Sequence, residues 1–594
     1  MPPGDSIPKP SAPSRPAILL ALLTIALIVT LRLTGPWNIL DNDQLRPHAY
    51  IQDIIRNSNW LVQHDWTGEV ASKPPLYAWI GALPALLTDR VGPLELAIPS
   101  ALGVLIAAVA IALTTAHILG TRAACIATLA FIATPIIIKQ STLARTDALY
   151  AGLTTAAALL AFRAYTRPRS ISDGRVRGAG WWEFWLVAAL ATLTKGPLAI
   201  VLALAGLLFI RSARPPRSDS HKRRWPEHLM GIALFLALTA GWFAAAWLHE
   251  DQPFIDKVLG RELLGHVTGA SKEHLDNTST VDALLHWLAG LFKPTLYLLY
   301  HAAPWSIFAL LALVRTIRRP PEDARRRALE RFCTGWLIVG LIIFSIVPHQ
   351  RPDLLSPIWA PGAILAASFL ASLIESWSGP RARLASASTV VASLAFTIVV
   401  YHIAPRRADH MQRKEEIHAA FEESLARDVP TAMITPLDGP YLFTAFCNTL
   451  PPRITEDQAV QLLVGNAPAF VSTNRPDELI RRVRAHSDSR RAYAIVRTDQ
   501  ISVVSNTSEA APTDSVAALH DALLLETAGC RLLPPRLGTL RIQQSTAATA
   551  VIAVRNLSDT RQSIHWRATT GERGTVSIAP FAESIVTIPG RPAP

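Results

Sequence analysis

Apolar segments of about twenty residues, the length that crosses a bilayer, recur through roughly the first two-thirds of this 594-residue chain. The short loops between them alternate in charge, which constrains the fold more than any other feature. Arginine crowds the stretches 163–177, 211–224, 315–327 and 381–383. The intervening loops carry carboxylates, isolated cations and aromatics. Helices are expected at about 17–34, 95–118, 123–139, 147–165, 181–194, 196–211, 228–248, 295–315, 332–348, 354–375 and 385–404. With those spans, all four arginine-rich loops fall on the side of Lys9 and Arg15, which basic loops mark as cytoplasmic.

The opposite side then gathers the unusual polar residues. A first external loop, about 35–94, holds Asp41, Asp43, Asp53, Asp65, Glu69 and Lys73. Within it, Tyr77 to Leu87 is apolar but short, which suits a helix lying at the interface. A short link carries Lys139, Arg145 and Asp147, and a tight turn carries Lys195. A second loop, about 249–294, holds Arg261, Glu262, His266, Lys272 and His274. His349, Arg351 and Asp353 join them.

Composition narrows the function classes. Half the residues are hydrophobic and the net charge is +12. The arginines flank apolar spans, so attraction to an anionic leaflet explains them better than nucleic acid does. Residues 1–16 read as a disordered cytoplasmic N-terminus, and the run from Ala17 as a retained first span rather than a cleaved signal. After about residue 404 the sequence is that of an extracytoplasmic soluble domain, mixed α/β or β-rich. Its last part, about 535–594, alternates apolar and polar residues as a β-sandwich does. Of four cysteines, Cys125 and Cys333 suit packing in or beside spans. Cys447 and Cys530, in the tail, can form a disulfide if it lies outside the membrane.

Five short motifs follow one another on the external side. The first loop runs Trp37-Asn38-Ile39-Leu40-Asp41-Asn42-Asp43-Gln44, then Ser72-Lys73-Pro74-Pro75-Leu76-Tyr77. Ala144-Arg145-Thr146-Asp147, Leu193-Thr194-Lys195-Gly196-Pro197, Ala303-Pro304-Trp305 and Ser345 to Arg351 with Leu355-Ser356-Pro357 come after it. In this order they resemble polytopic glycosyltransferases of the GT-C class. The nearest branch holds bacterial lipid A aminoarabinose transferase and the dolichyl-phosphate-mannose protein O-mannosyltransferases. The resemblance covers about 35–365 and not the tail. Two positions depart from it. Gln44 stands where Glu is common, and Ser72 where an acidic residue precedes Lys-Pro-Pro. The second departure removes a carboxylate that helps bind a divalent metal in some relatives. A lone His274 is a poor ligand set, so no cofactor is assigned and a divalent metal stays open.

The resemblance implies an α-helical polytopic fold of about eleven spans, N-terminus in and C-terminus out, with the catalytic domain at 17–404 and the soluble domain at 405–594. It implies sugar transfer from a polyprenyl-phosphate carrier, with inversion, to a hydroxyl of an envelope glycolipid, glycan or protein, at the outer face of the bacterial cytoplasmic membrane. Asp43 suits a general base and Asp147 a second catalytic carboxylate. Lys73, Lys195 and Arg351 suit the donor phosphate, Arg351 by a forked contact. Arg145, Arg261, Glu262 and His274 are further candidates for substrate contact. Each has a plainer account. Asp43 can cap a helix, Asp147 can cap a span or pair with Arg145, and Lys73 can snorkel. Arg351 can pair with Asp353, Glu262 and His266 suit an ordinary surface helix, and Asp53 suits a solvated helix face. A lipid or solute transporter or flippase, or a non-catalytic envelope scaffold, remain alternative functions.

Overall fold

The computed structural model describes residues 15–33, 42–65, 68–88, 91–166, 171–172, 175–176, 180–213, 225–258, 260, 290–347 and 350–375. Beyond isolated positions between 384 and 399, it describes 431–434, 453–465, 469–486, 492–497, 502–506, 538–545, 549–556, 562–567, 573–578 and 583–589. The chain divides into two compact units, residues 1–35 with 46–404, and 36–45 with 405–594.

Helix covers each of the expected stretches up to residue 375. α1 is Arg15–Leu33, α2 Asn42–Asn57, α3 Leu76–Thr88 and α4 Pro93–Ile132. α4 has 40 residues, about 60 Å of helix and twice a bilayer core. Its backbone breaks at Gly120, where φ is +85°, a conformation that side-chain-bearing residues rarely adopt. That break separates the two expected segments 95–118 and 123–139. α5 (Pro135–Gln140) and α6 (Thr146–Thr166) follow. α6 packs against α4 at Gly103 and Gly152, where a Cβ on Gly152 would lie 2.0 Å from the Gly103 carbonyl oxygen. This close approach fixes the height of α6, and with it Asp147 in its first turn.

α7 (Trp181–Lys195) and α8 (Leu198–Ala205) are separated at Gly196-Pro197 and both pack on α6. A 3-10 segment, Gly206–Ala213, continues α8. α9 (Trp225–Glu250) and the short α10 (Gln252–Ile255) come next. The expected span 295–315 is not one straight helix. α11 (Lys293–His301) and α12 (Trp305–Arg318) meet at 117°, because the helix stops before Pro304, whose ring nitrogen cannot donate. α13 (Ala324–Ile346), a 3-10 segment (Pro352–Ile358) and α14 (Trp359–Glu375) follow. Among the described residues five helices are long and apolar enough to cross a membrane, or six if the bent pair counts as one. The chain is a multi-pass membrane protein. The eleventh expected span, 385–404, lies outside the described residues apart from isolated positions.

The core of the bundle is alanine-rich. Ala107, Ala108, Ala127, Ala157, Ala158 and Ala203 are fully buried, with Phe131, Phe332 and Trp336 filling the wider gaps. Where hydrocarbon surrounds a bundle, close packing of small residues brings helices together. Leu208, Leu236, Leu248, Ile307 and Leu310 instead face outward, as lipid contact requires.

The second unit holds a five-stranded sheet in the order β4-β3-β5-β7-β6. The strands are β3 Thr431–Ile434, β4 Arg453–Ile454, β5 Phe470–Thr473, β6 Tyr493–Arg497 and β7 Ser502–Ser505; the two-residue β1 and β2 lie at 171–176 in the other unit. β4, β3 and β5 run parallel, the other pairs antiparallel. α15 (Glu456–Val464) opens with a Thr455–Gln458 capping box, and α16 is Pro476–His486. Val460, Leu463, Leu479 and Val483 from these helices pack with Val471 and Val504. Beyond residue 537 lie β8 Gly538–Ser545, β9 Thr549–Asn556, β10 Gln562–Arg567, β11 Arg573–Ile578 and β12 Glu583–Pro589, which form two antiparallel sheets, β12-β9-β8 and β10-β11. Cys447 and Cys530 lie outside the described residues.

Candidate functional site

Two carboxylates organise the ionisable residues between α5, α6 and α7. Asp147 sits in the first turn of α6, where an anion complements the helix dipole. Lys195 is the last residue of α7, where a cation does the same, and its ammonium forms an ion pair with Asp147. The partner of Asp147 is therefore on the next helix rather than the neighbouring Arg145. Arg145 instead donates from Nη1 to Oδ2 of Asp353 at 2.9 Å. Nζ of Lys139 lies 3.7 Å from Oδ1 of the same carboxylate. Asp353 is thus engaged by Arg145 and Lys139.

The turn between α5 and α6 is held from inside. The Tyr77 hydroxyl donates to the Leu96 carbonyl at 2.7 Å and lies 3.2 Å from the Ser100 hydroxyl. Ser100 donates to the carbonyls of Leu143 at 2.6 Å and Arg145 at 3.2 Å. Tyr77 and Tyr150 are within electrostatic reach of Asp147, and His301 is within reach of Asp353 and Lys139. Elements far apart in sequence therefore meet around these two groups of charges.

The first external loop is built separately. The Ser72 amide donates to the Tyr50 hydroxyl at 3.2 Å, tying the segment before Lys73 to α2. Burial raises the Tyr50 phenol above its ordinary pKa, so it stays a neutral hydrogen-bonding group. Asp53 is not a solvated face residue. It is buried and accepts from Asn57 at 2.7 Å, from Asn59 at 3.0 Å and from the His64 amide at 2.8 Å. The His64 ring then lies 3.2 Å from Glu250 at the end of α9. These contacts strap the loop onto α9, helped by Trp242 donating to the Leu61 carbonyl at 2.9 Å.

Asp43 falls in the first turn of α2, with its side chain outside the described set. Lys73 is half-buried, and Arg351 is exposed immediately before the 3-10 segment that holds Asp353. Arg261, Glu262 and His274 lie outside the described residues. Among the described residues no group of three His, Cys, Asp or Glu side chains has the geometry to hold a metal. Asp353 and Lys139 were absent from the candidates drawn from the sequence. Their place beside the Arg351 and Arg145 motifs was the available signal, but the Arg145–Asp353 pairing spans 208 positions and no local pattern encodes it.

Residues 72–243, less than half of the chain, match the family model described as dolichyl-phosphate-mannose-protein mannosyltransferase. No curated protein matches the sequence. Among solved structures, ArnT from Cupriavidus metallidurans bound to undecaprenyl phosphate superposes with a TM-score of 0.60 at 18% identity, covering 84% of this chain and 98% of that one. The apo state of the same protein gives 0.59 at 17% identity, with 84% and 100% covered. A more distant likeness, TM-score 0.48 at 13% identity over 97% of this chain and 76% of that one, is to the apo oligosaccharyltransferase of Archaeoglobus fulgidus. The resemblance read from the five motifs is borne out by the matched segment and by the superposition on ArnT, and the chain has the GT-C glycosyltransferase fold.

Proposed function

We propose that the chain is a membrane glycosyltransferase that moves a sugar from a polyprenyl-phosphate carrier to a hydroxyl of a cell-envelope acceptor, at the outer face of the bacterial cytoplasmic membrane. The observation that carries this is the group of cations paired with carboxylates at helix ends, inside a fold shared with ArnT. Ionisable groups in transporters gather near the bilayer midplane. Here Asp147 is in the first turn of its helix and Lys195 is the last residue of its own, which favours surface chemistry over transport.

In the proposed reaction an acceptor hydroxyl attacks C1 of the sugar and its proton passes to the Asp43 carboxylate. The bond from C1 to the phosphate oxygen breaks, and its electron pair stays on the phosphate. The single displacement inverts the anomeric centre. Lys73, Lys195 and Arg351 offset the charge that grows on the leaving phosphate, an effect larger in the transition state than in the bound donor. Asp147 holds the Lys195 ammonium in place. Arg145 is assigned to substrate contact, and Arg261, Glu262 and His274 to contacts from the second external loop. In this scheme 17–404 is the catalytic domain and 405–594 is an extracytoplasmic soluble domain.

Purified protein incubated with undecaprenyl-phosphate sugars and envelope extract is expected to yield new sugar conjugates by mass spectrometry. Asp43→Asn, inserted normally, is expected to yield about a hundredth or less of the wild-type amount. Full transfer by that variant would remove Asp43 as the base.

A further inference from the structure

Asp353 is a buried carboxylate engaged unequally at its two oxygens. Its side chain and that of Arg145 are each 12% exposed, and Oδ2 takes a 2.9 Å hydrogen bond from the guanidinium. Oδ1 is buried and makes no hydrogen bond among the described residues. The ammonium 3.7 Å from it belongs to Lys139, whose side chain is 57% exposed. Arg145 is the fixed member of the pair, since Ser100 and Tyr77 hold its turn. Lys139 is the movable one, a compact charge on a flexible stem in the last turn of α5.

Charge balance gives this arrangement a purpose. Arg145 and Lys139 bring two positive charges and Asp353 one negative charge, so this trio adds one net positive charge to those of Lys73, Lys195 and Arg351. A sugar–phosphate–lipid donor is a phosphodiester and carries one negative charge. The spent carrier is a phosphomonoester and carries close to two at neutral pH. A fixed carboxylate at this spot therefore penalises the product more than the donor.

Resting on the donor site proposed above, we propose that Asp353 is a specificity-determining residue: the built-in counter-anion of the Arg145–Lys139 pair, which sets the preference for donor over spent carrier. Lys139 leaves Asp353 to meet the phosphate and returns to it when the carrier departs. Asp353 touches no reacting atom.

The test is equilibrium binding to the full-length protein in nanodiscs, with undecaprenyl phosphate, its methyl diester and uncharged undecaprenol as probes. Asp353→Asn is expected to bind the monoester about tenfold tighter than wild type and to gain clearly less for the methyl diester, because removing one nearby charge acts on the second negative charge of the ligand. Turnover of the variant should show stronger inhibition by added undecaprenyl phosphate, with kcat and KM both lowered. Lys139→Gln, at an exposed site that tolerates change, should bind the monoester severalfold more weakly. Equal or weaker monoester binding by Asp353→Asn, an equal gain for both esters, or unchanged binding by Lys139→Gln would overturn the proposal. If wild type prefers neither ester over undecaprenol, the donor site itself is wrong, a failure separable from that of Asp353.

Discussion

Two buried carboxylates lie near the two ends of α13 in sequence, and they are partnered in opposite ways. Glu330, near the start of the helix, is 1% exposed. Its Oε1 accepts from Arg315 at 2.6 Å, from Arg326 at 3.0 Å and from Ser368 at 2.5 Å, while Oε2 accepts from Thr316 at 2.8 Å. Arg315 continues to Ser372 at 2.6 Å, and Arg326 to the Ser368 carbonyl at 2.8 Å. Both carboxylate oxygens are hydrogen-bonded, and three helices are locked together. Asp353, just beyond the other end of α13, has one oxygen hydrogen-bonded and a half-exposed lysine standing off from the other. Both groups contain a carboxylate facing two cations. The saturated one, Glu330, has both oxygens hydrogen-bonded and ties three helices together, so its role is architectural. The unsaturated one keeps a cation that a phosphate can recruit.

This contrast predicts that substitutions on the Asp353 side change rates and binding, whereas those on the Glu330 side change stability. The largest effect expected is at Asp43. Asp43→Asn should lower transfer by about two to four orders of magnitude, the usual worth of a general base, with an unchanged melting temperature. Next, Glu330→Ala leaves two arginines without their buried partner and should cost about 3–5 kcal/mol of stability. Thermal unfolding in detergent would register that loss, while kcat of the surviving folded protein stays near wild type. Lys195→Met should lower kcat/KM for the lipid-linked donor by about a hundredfold, as removal of one leaving-group contact does. Steady-state kinetics with a folded variant would check it, and a stability loss with normal kinetics would move Lys195 to the architectural class. The smallest effect is at Asp53. Asp53→Asn keeps the shape but weakens several hydrogen bonds to Asn57, Asn59 and His64, costing about 1–3 kcal/mol with transfer retained.

Much of this architecture is written in apolar length and loop charge, which act locally. The five helices long and apolar enough to cross a membrane follow from runs of bilayer length. The motif residues Asp147 and Lys195 were legible because the charge alternation puts them on one side of the membrane, and their pairing agrees with that placement. Partner choice was not legible. Arg145 passes over Asp147, two positions away, for Asp353, because α6 turns the adjacent side chains in different directions and the 3-10 segment brings Asp353 beside α5 and α6. The bend between α11 and α12 was hidden because residues 295–315 are continuously apolar, and hydropathy does not register the missing donor at Pro304. Asp53 was misjudged because α2 looks like a surface helix until the 57–64 turn folds back over it with three donors.

The central claim is that charges gathered at one end of the bundle grip a lipid phosphate while its sugar leaves. Mass spectrometry of purified protein given a radiolabelled undecaprenyl-phosphate sugar and an envelope acceptor fraction tests it most directly. The account predicts stoichiometric appearance of free undecaprenyl phosphate and a glycosylated acceptor, both lowered about a hundredfold or more by Asp43→Asn. Uptake of intact donor into sealed vesicles with neither product formed would contradict it.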